Sequence, residues 1–245
     1  MWKLTDSAAG FETQGIRTWL DARHPQLGFL STASNGRFLQ LLPRDSQSGN
    51  HLKLVETYVR GDDLVATYEP LPTHQVQPHV YWRAKHCAAH GAVGVEMIVS
   101  MQTSLLDSDP ETILATGMPT GLIYGTVPGK PTELVSLPPA EFPRTTSKQN
   151  ASSVPMPGIY VYQPRDTPFA YVEMIHPDDF VSTTVELGKF VEPWSTTRLF
   201  TERLEKGVIR RARASGWHIP RHLEVTKIAW ALYHQFAAEP LPLTA

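Results

Sequence analysis

Proline is the residue that most limits how this chain can fold. The sequence has 21 prolines in 245 residues, and nine of them fall between 128 and 168. Because proline fixes φ and has no N–H to donate, this density excludes a helix or a central strand there. Residues 138–156 also lack any apolar period, and we interpret them as a Pro/Ser-rich linker or long loop. They separate an N-terminal half, 1–137, from a C-terminal half, 157–245, and we expect the halves to share one core.

Strand patterns occupy most of the chain outside this linker. Residues 52–59 and 64–68 are rich in β-formers and flank an Arg-Gly-Asp-Asp turn, which predicts a hairpin. Apolar and polar residues alternate over 93–103, which predicts a half-buried strand, and 122–127 and 159–162 add further strand candidates. Short strands separated by Pro, Gly and Asp turns predict a mainly β fold, with α+β as the alternative, and a sandwich-like architecture.

Helical spacing is confined to the ends of the chain. Residues 15–23 carry apolar residues at i, i+3 and i+4, which predicts a short N-terminal helix. Residues 221–238 repeat that spacing over three turns and are followed by Pro240 and Pro242, so an amphipathic C-terminal helix is expected. The pattern over 198–214 fits a helix or a strand, and the sequence does not decide between them.

Two segments, 43–69 and 164–186, share three motifs in the same order. Each has Pro-Arg-Asp, then Val-Glu, then Asp-Asp-apolar-Val-x-Thr, ending at a glutamate. An internal duplication, giving two related halves, would explain this series. Two hairpins that use the same turn chemistry would explain it equally well, and both interpretations stay open.

Charge and cysteine content indicate the cellular compartment of the protein and the kinds of partner it can have. The net charge of −2 excludes a chain that binds nucleic acid or membrane by bulk electrostatic attraction. The single cysteine, Cys87, cannot form an internal disulfide, and no secretory signal or long apolar run is present. We therefore expect a soluble cytoplasmic protein with no membrane partner, and no motif implies a cofactor.

A basic stretch, 203–227, carries a net charge of +5 against −7 for the rest of the chain. Such a stretch could bind phosphate, another polyanion or nucleic acid. The alternative is a solvated face whose arginines pair with acidic residues elsewhere. The candidate anion-binding residues are Arg203, Lys206, Arg210, Arg211, Arg213 and Trp217.

Two other groups of residues are weaker candidates for a metal-binding or catalytic site. His86 and His90 have the spacing of two metal ligands on a helix, but a third ligand is missing, so no metal site is predicted. The pairs Asp62-Asp63 and Asp178-Asp179 could be carboxylates for glycoside chemistry. Their neighbours, Gly61 and Pro177, favour hairpin turns instead.

No nucleophile elbow, phosphate loop or dinucleotide fingerprint is present in the sequence. The function therefore stays unassigned. The missing motifs favour a protein that is not an enzyme, but they do not decide the question. The leading hypothesis is a non-catalytic binding or assembly protein whose partner is another protein or a second copy. A carbohydrate-acting enzyme built on a large β-sandwich is the first alternative, by fold analogy alone. An anion or nucleic-acid binder using 203–227 is the second.

Overall fold

The protein folds as two large antiparallel sheets with one helix. The computed structural model describes residues 2–43, 52–72, 74–117, 121–127, 130–137, 145–146, 158–186 and 194–240. Within these ranges eighteen strands form two nine-stranded sheets, and an α-helix follows the last strand. The mainly β, sandwich-like fold predicted from the strand patterns is confirmed. None of the helices in these ranges is long and apolar enough to cross a membrane.

The elements follow one another with short connections over much of the chain. In chain order they are β1 (Lys3–Thr5), β2 (Ala8–Thr13), β3 (Ile16–Asp21), β4 (Phe29–Ser31), β5 (Ser34–Pro43), β6 (Leu54–Arg60), β7 (Asp63–Tyr68), β8 (Val76–Cys87), β9 (Ala92–Thr103), β10 (Thr112–Gly117), β11 (Gly121–Val127), β12 (Lys130–Ser136), β13 (Thr145–Thr146), β14 (Gly158–Pro164), β15 (Phe169–Ile175), β16 (Ser182–Glu186), β17 (Trp194–Leu199), β18 (Ile209–Pro220) and α1 (Val225–Ala238). Short 3₁₀ turns lie at Pro25–Leu27 and Ala88–His90.

Each sheet combines strands from both sides of the proline-rich segment. The first has the order β1-β2-β3-β4-β5-β10-β17-β16-β13, and the second has the order β12-β11-β14-β15-β18-β9-β8-β7-β6. The predicted hairpin around Gly61 is the β6–β7 pair, with Arg60 opposite Asp63. Both halves of the chain therefore contribute to both sheets.

The exclusion of a central strand from 128–168 is wrong for β14, which is paired with β11 on one side and β15 on the other. The only proline of this strand is its last residue, Pro164, so its interior keeps every N–H that the ladder needs.

The main core lies between the inner faces of the two sheets. Strand periodicity sends alternate residues there, among them Leu64, Trp82, Met97 and Leu114, which are all essentially inaccessible. A second apolar cluster lies between the outer face of the second sheet and α1, and includes Val172 and Trp217. Because both faces of this sheet are covered, its central strands are buried on both sides.

Strand β9 is more buried than the sequence predicts, because both faces of its sheet are covered. The alternation over 93–103 predicts a half-buried strand, but every residue of β9 except Gln102 is buried. The polar face of the strand carries Glu96, which is 1% exposed and pairs with the buried Arg213. The prediction of a half-buried strand is therefore wrong, because polar side chains on this face meet protein partners instead of water.

The C-terminal helix is confirmed, and it begins at Val225, slightly later than predicted. Its buried residues follow the helical period and pack on β14, β15 and β18. They are Val225, Ile228, Ala229, Leu232, Tyr233 and Phe236. Pro220, directly before the predicted helical segment 221–238, is the last residue of β18.

The predicted N-terminal helix over 15–23 is wrong, since this segment forms β3. The strand pairs along its full length with β2 and buries Ile16, Thr18 and Leu20 on one face. Trp19 lies on the other face, half-exposed. Three apolar residues within five positions fit a helical or a strand period, so pairing with β2 decides the outcome.

The undecided segment 198–214 consists of strand ends and a turn. Strand β17 ends at Leu199 and β18 begins at Ile209, so the strand alternative is the observed one. Between them, Leu204 exchanges two backbone hydrogen bonds of 2.9 Å with Ser108. Gly207, with φ of +83°, completes the turn into β18.

The two segments with matching motifs have different connections. In the first, β6 and β7 are paired neighbours in one sheet, whereas in the second the chain passes from β15 in one sheet to β16 in the other. The linker 138–156 lies outside the described residues except for Thr145–Thr146, and Arg44 and Asp45 lie outside them as well. The duplication and the division at 138–156 therefore stay predictions.

Candidate functional site

The candidate site forms where β15 ends while its neighbour β18 continues. Ladder pairing between the two strands stops at Ile175 opposite Ala214. The chain then turns away, with one more backbone hydrogen bond of 3.0 Å from His176 N to the Arg213 carbonyl. The Asp179 Oδ2 accepts the next one, from Arg213 N, at 2.8 Å. Beyond this point β18 has no strand on that side among the described residues, and a cavity takes its place.

This cavity, which we call the Asp179 pocket, is lined by 177–181, 200–202 and 210–212. Its volume is about 360 Å³. Small-molecule sites in proteins fall in the range of roughly 300–1,000 Å³. The pocket is therefore large enough for one small polar ligand.

Two adjacent carboxyl groups of the pocket have different environments. Burial raises the pKa of Asp179 to about 6, although the hydrogen bond from the Arg213 backbone opposes part of this rise. The side chain of Asp178 is 90% exposed and lies 3.7 Å from Nδ1 of His176. Asp179 is therefore a carboxyl that holds its proton at mildly acidic pH, beside one that faces water.

Two arginines of β18, Arg210 and Arg211, also line the pocket. Nη2 of Arg210 lies 2.7 Å from Oε2 of Glu202, an ion pair between two well-exposed side chains. Arg211 is half-buried, and its Nε is sealed from solvent without a hydrogen-bond partner. A ligand in the cavity does not reach this sealed atom, so the accessible charged groups of the pocket are those of Arg210 and Glu202.

Two phenylalanines supply the apolar surface of the pocket. Phe180 is 3% exposed and packs on Gly158, where an added Cβ would come within 2.7 Å of the ring. Phe200 is partly buried against the main core and has φ of +57°, a left-handed conformation that is uncommon for a bulky residue. Such backbone strain concentrates at functional sites.

The structure separates the six predicted anion-binding residues. Arg210 and Arg211 line the Asp179 pocket, while Arg203 forms an exposed pair with Asp107 and Lys206 lies exposed in the turn before β18. Arg213 is 1% exposed and Trp217 is 8% exposed, packed toward α1. Arg213 and Trp217 are therefore not on one surface with the other four residues of the set. Anion binding by those four residues stays a prediction.

The other sequence candidates have structural partners or lie apart. Asp63 accepts two hydrogen bonds from Arg83, of 2.7 and 3.0 Å, so the Asp62-Asp63 pair belongs to the β6–β7 turn. His86 on β8 lies 2.6 Å from the Gln14 side chain, and His90 is in a 3₁₀ turn. Within the described ranges no three His, Cys, Asp or Glu side chains are grouped as metal ligands would be.

A second cluster of titratable groups lies deep between the sheets. Burial raises the pKa of Glu173 to about 7, although the hydroxyls of Thr116 and Tyr171 lower it in part. Thr116 on β10 donates a hydrogen bond to Glu173 on β15, so this contact joins the two sheets. Burial also lowers the pKa of His218 to about 3, and its ring packs on Phe38 and Tyr171. The cavity beside His218 and Tyr171 holds only about 10 Å³, too little for a ligand larger than water.

The packing of this interior cluster can be tested at Gly216. A Cβ at this position would lie 2.3 Å from the Tyr171 hydroxyl oxygen. We expect Gly216→Ala to lower the free energy of unfolding by about 1–3 kcal/mol through overpacking. In a Tyr171→Phe background the same substitution should cost less, because the clashing oxygen is absent. Urea unfolding of the four proteins measures both values, and equal costs in the two backgrounds would contradict the stated contact.

A larger groove lies on the outer face of β1–β3. It has a volume of about 770 Å³ and is lined by Gly10, Glu12, Arg17 and Trp19 among others. The Arg17 guanidinium lies 5.9 Å from the centre of the Trp19 ring, and Arg17 is opposite Glu12 in the β2–β3 ladder. Its charged groups, Lys3, Glu12 and Arg17, are all exposed, so this groove has no partly buried carboxyl comparable to Asp179.

Sequence patterns alone identified only part of this pocket. Asp178, Asp179, Arg210 and Arg211 stand out by charge, but the turn after β15 has to be known before they can be brought together. Phe200 and Glu202 fall in the segment whose pattern fits a helix or a strand. The sequence contains one weak indication of the site: Pro177 stands next to the Asp-Asp pair, and a proline there favours the end of a strand.

Comparison with known proteins shows the fold alone. No family model matches the chain, and no curated protein matches it. Among solved structures, the Slr1438 protein from Synechocystis sp. PCC 6803 is similar, with a TM-score of 0.57 and 6% identity over 90% of this chain and 100% of that one.

An α-N-acetylgalactosaminidase, NagBb from Bifidobacterium bifidum, solved as a complex with GalNAc, has a TM-score of 0.55 and 12% identity. The match covers 96% of this chain and only 39% of that enzyme. The sandwich described above therefore also occurs as part of a larger carbohydrate-active enzyme.

Proposed function

We propose that this protein binds a carbohydrate in the Asp179 pocket. The observation that carries the proposal is the convergence of the Asp179 carboxyl, the Arg210–Glu202 ion pair and a strained phenylalanine on one cavity of about 360 Å³. Sugar hydroxyls both donate and accept hydrogen bonds, which suits Asp179 and Arg210 together. The C–H faces of a sugar ring pack on aromatic side chains, which suits Phe200.

The fold likeness supports this proposal in a general way. The match to NagBb places a sandwich of this kind within an enzyme that acts on a sugar substrate. At 12% identity the likeness says nothing about which residues bind, so the site is argued from this chain's own pocket. The hypothesis of a non-catalytic binding protein, reached from the sequence, then takes a carbohydrate as its partner.

A binding screen with matched variants tests the proposal. The full chain is applied to an array of mono- and oligosaccharides, and the best ligand is titrated by calorimetry. We expect Asp179→Asn to weaken binding about tenfold or more, since it removes a charged acceptor while keeping an oxygen for Arg213 N–H. Trp19→Ala, in the outer groove, serves as the control and should leave the affinity unchanged. Absence of any sugar ligand, or loss of binding only in Trp19→Ala, would contradict the proposal.

One observation favours catalysis as a second candidate function. A carboxyl with a pKa of about 6, such as Asp179, retains enough of its proton near neutral pH to act as a general acid. If the pocket cleaves or isomerises the sugar it binds, Asp179→Asn should lower turnover about 100-fold or more. A screen of aryl glycosides and reducing sugars would detect this activity, and turnover that is equal in Asp179→Asn would exclude it.

A further inference from the structure

Strand β6 differs from the other three strands that end the two sheets. Among the described strands, β1 and β13 end the first sheet, and β12 and β6 end the second. Strand β1 has three residues and β13 has two, while β12 contains Pro131, which has no N–H to donate. Strand β6 spans seven residues, Leu54–Arg60, and contains no proline. Short strands and prolines protect a sheet edge from pairing with another chain, so β6 is the edge that lacks these protections.

Alternate residues of β6 direct their peptide groups away from the sheet. The strand is joined to β7 by a two-residue turn that begins at Gly61, which has φ of +61°. Arg60 and Asp63 flank this turn and bond to each other across it, so the peptide groups of Arg60 and of alternate residues before it face β7. Those of Thr57 and Val59 therefore face the open edge, where no strand within the described ranges pairs with them.

The regular part of β6 has opposite charges at its two ends. The ladder with β7 is irregular between Leu54 and Glu56 and regular from there to Arg60, so the regular part is centred on Tyr58. Glu56, Tyr58 and Arg60 are exposed on one face, because side chains alternate along a strand. Neither charged side chain forms an ion pair within the described residues. They lie about 13 Å apart along the strand, too far to pair with each other.

A second copy of the chain, antiparallel along this edge, satisfies both the peptide groups and the charges. When Tyr58 is opposite its counterpart in the second copy, Thr57 is opposite Val59, and the outward peptide groups of both form a hydrogen-bonded pair. In the same register Glu56 of each copy is directly opposite Arg60 of the other, and opposite charges in such pairs stabilise a ladder. A register centred on either neighbouring residue loses both charge pairs.

We propose that two copies of this chain associate through β6 in this register and join their second sheets into one continuous sheet. The carrying observations are the unprotected edge and the self-complementary charges of Glu56 and Arg60. Because the regular part of β6 is short, the contact is small, and we expect a weak dimer with a Kd on the order of 10 µM. Strands β7, β8 and β9 separate β6 from β18, so the proposal does not depend on the function of the Asp179 pocket.

Sedimentation velocity of the full chain, from about 2 to 500 µM, tests the association. We expect a concentration-dependent change from one chain to two. Glu56→Lys and Arg60→Glu should each weaken it about tenfold or more, because each places like charges opposite one another at both ends of the contact. An equimolar mixture of the two variants should recover association, because every charge contact in the mixed dimer again joins opposite charges. Glu205→Lys and Lys206→Glu, exposed in the turn before β18, are the matched controls and should change nothing.

A cysteine pair tests the register. In a Cys87→Ser background, which removes the native thiol, Tyr58→Cys should give a disulfide-linked dimer under mild oxidation. Residues opposite one another at such a position have Cα atoms about 4.5 Å apart, within the range of a disulfide. Val55→Cys, at a position 59% exposed on the same strand, is the control. Its counterpart would lie about 20 Å away along the ladder, so no disulfide is expected. The thermal midpoint confirms that each variant is folded.

Three results would overturn the proposal. A chain that stays monomeric at every concentration would leave the β6 edge to an extended segment of a different protein. Association that neither Glu56→Lys nor Arg60→Glu weakens would place the contact between copies elsewhere. Failure of the mixture to recover association, or equal crosslinking of Val55→Cys and Tyr58→Cys, would contradict the register.

Discussion

Replacement of Arg213 by methionine is expected to lower the free energy of unfolding by about 3–5 kcal/mol, the usual cost of breaking a buried ion pair on one side. The Arg213 Nε lies 3.0 Å from Glu96 Oε1, and each side chain is 1% exposed. Removal of the guanidinium leaves the Glu96 carboxylate buried, with Lys85, 3.1 Å away, as its ion-pair partner among the described residues. The loss should therefore exceed that of any exposed charge.

The same guanidinium also holds the end of α1. Its Nη1 donates to the Glu239 carbonyl at 2.6 Å and its Nη2 to the Phe236 carbonyl at 3.3 Å. Phe236 lies in the last turn of α1 and Glu239 directly follows the helix, so no intrahelical donor is left for their carbonyls. The guanidinium also lies 4.7 Å from the Phe236 ring centre, a cation–π distance. Arg213 thus joins β18, β9 and the helix terminus.

Urea unfolding of three variants separates these roles. Arg203→Met removes an exposed arginine and should cost less than about 1 kcal/mol. The double variant Glu96→Leu/Arg213→Met should recover much of the loss seen in Arg213→Met alone, because no buried carboxylate remains. If Arg213→Met is no more destabilising than Arg203→Met, the assignment of Arg213 as the support of the helix end is wrong.

Glu173→Gln is expected to change how stability depends on pH. The pKa of Glu173 is raised to about 7 in the folded protein by burial, against an ordinary value of 4.5. Between these two values the folded state binds more protons than the unfolded state, so this group makes stability fall as pH rises from about 4.5 to 7. The total contribution is roughly 3 kcal/mol, at 1.36 kcal/mol per pKa unit.

The difference between wild type and variant isolates this contribution. His218 acts with the opposite sign, because its lowered pKa makes stability rise with pH over about 3 to 6.5. Asp179, with a raised pKa of about 6, acts in the same direction as Glu173. Both remain in Glu173→Gln, so they cancel when the two proteins are compared at each pH.

We expect Glu173→Gln to have nearly wild-type stability at pH 4.5 and to be more stable than wild type by up to about 3 kcal/mol at pH 8. Glu12→Gln, on an exposed position of β2, serves as the control and should give a difference near zero at both pH values. Chemical unfolding at a series of pH values provides the measurement. A difference that does not change with pH would show that Glu173 does not titrate in this range.

The strand content and the C-terminal helix could be predicted from sequence because both depend on local patterns. The hairpin around Gly61 needs only two runs of β-formers and a turn, and α1 needs only a repeated apolar spacing. The N-terminal segment shows the limit of this approach. Ile16, Trp19 and Leu20 satisfy a helical spacing, but pairing with β2 makes them part of a strand.

The burial of Arg213 and Trp217 could not be predicted because it depends on where α1 packs. On the sequence they belong to a basic stretch with Arg210 and Arg211. In the fold, Arg211, Arg213 and Trp217 share one face of β18, but only the part from Ala212 onward is buried, where β15 and α1 cover the strand. The pocket depends on three separate segments, 177–181, 200–202 and 210–212, which no local sequence pattern brings together.

An NMR titration of the ¹⁵N-labelled chain with the sugar that binds best in the screen tests the central claim most directly, because it reports where a ligand binds. The claim is that a carbohydrate occupies the Asp179 pocket. We predict that the amide shifts centre on 177–181, 200–202 and 210–212, which line the pocket, and that they are smaller in Asp179→Asn at the same ligand concentration. Shifts that centre on β1–β3 around Trp19, or no saturable shifts with any sugar, would contradict the claim.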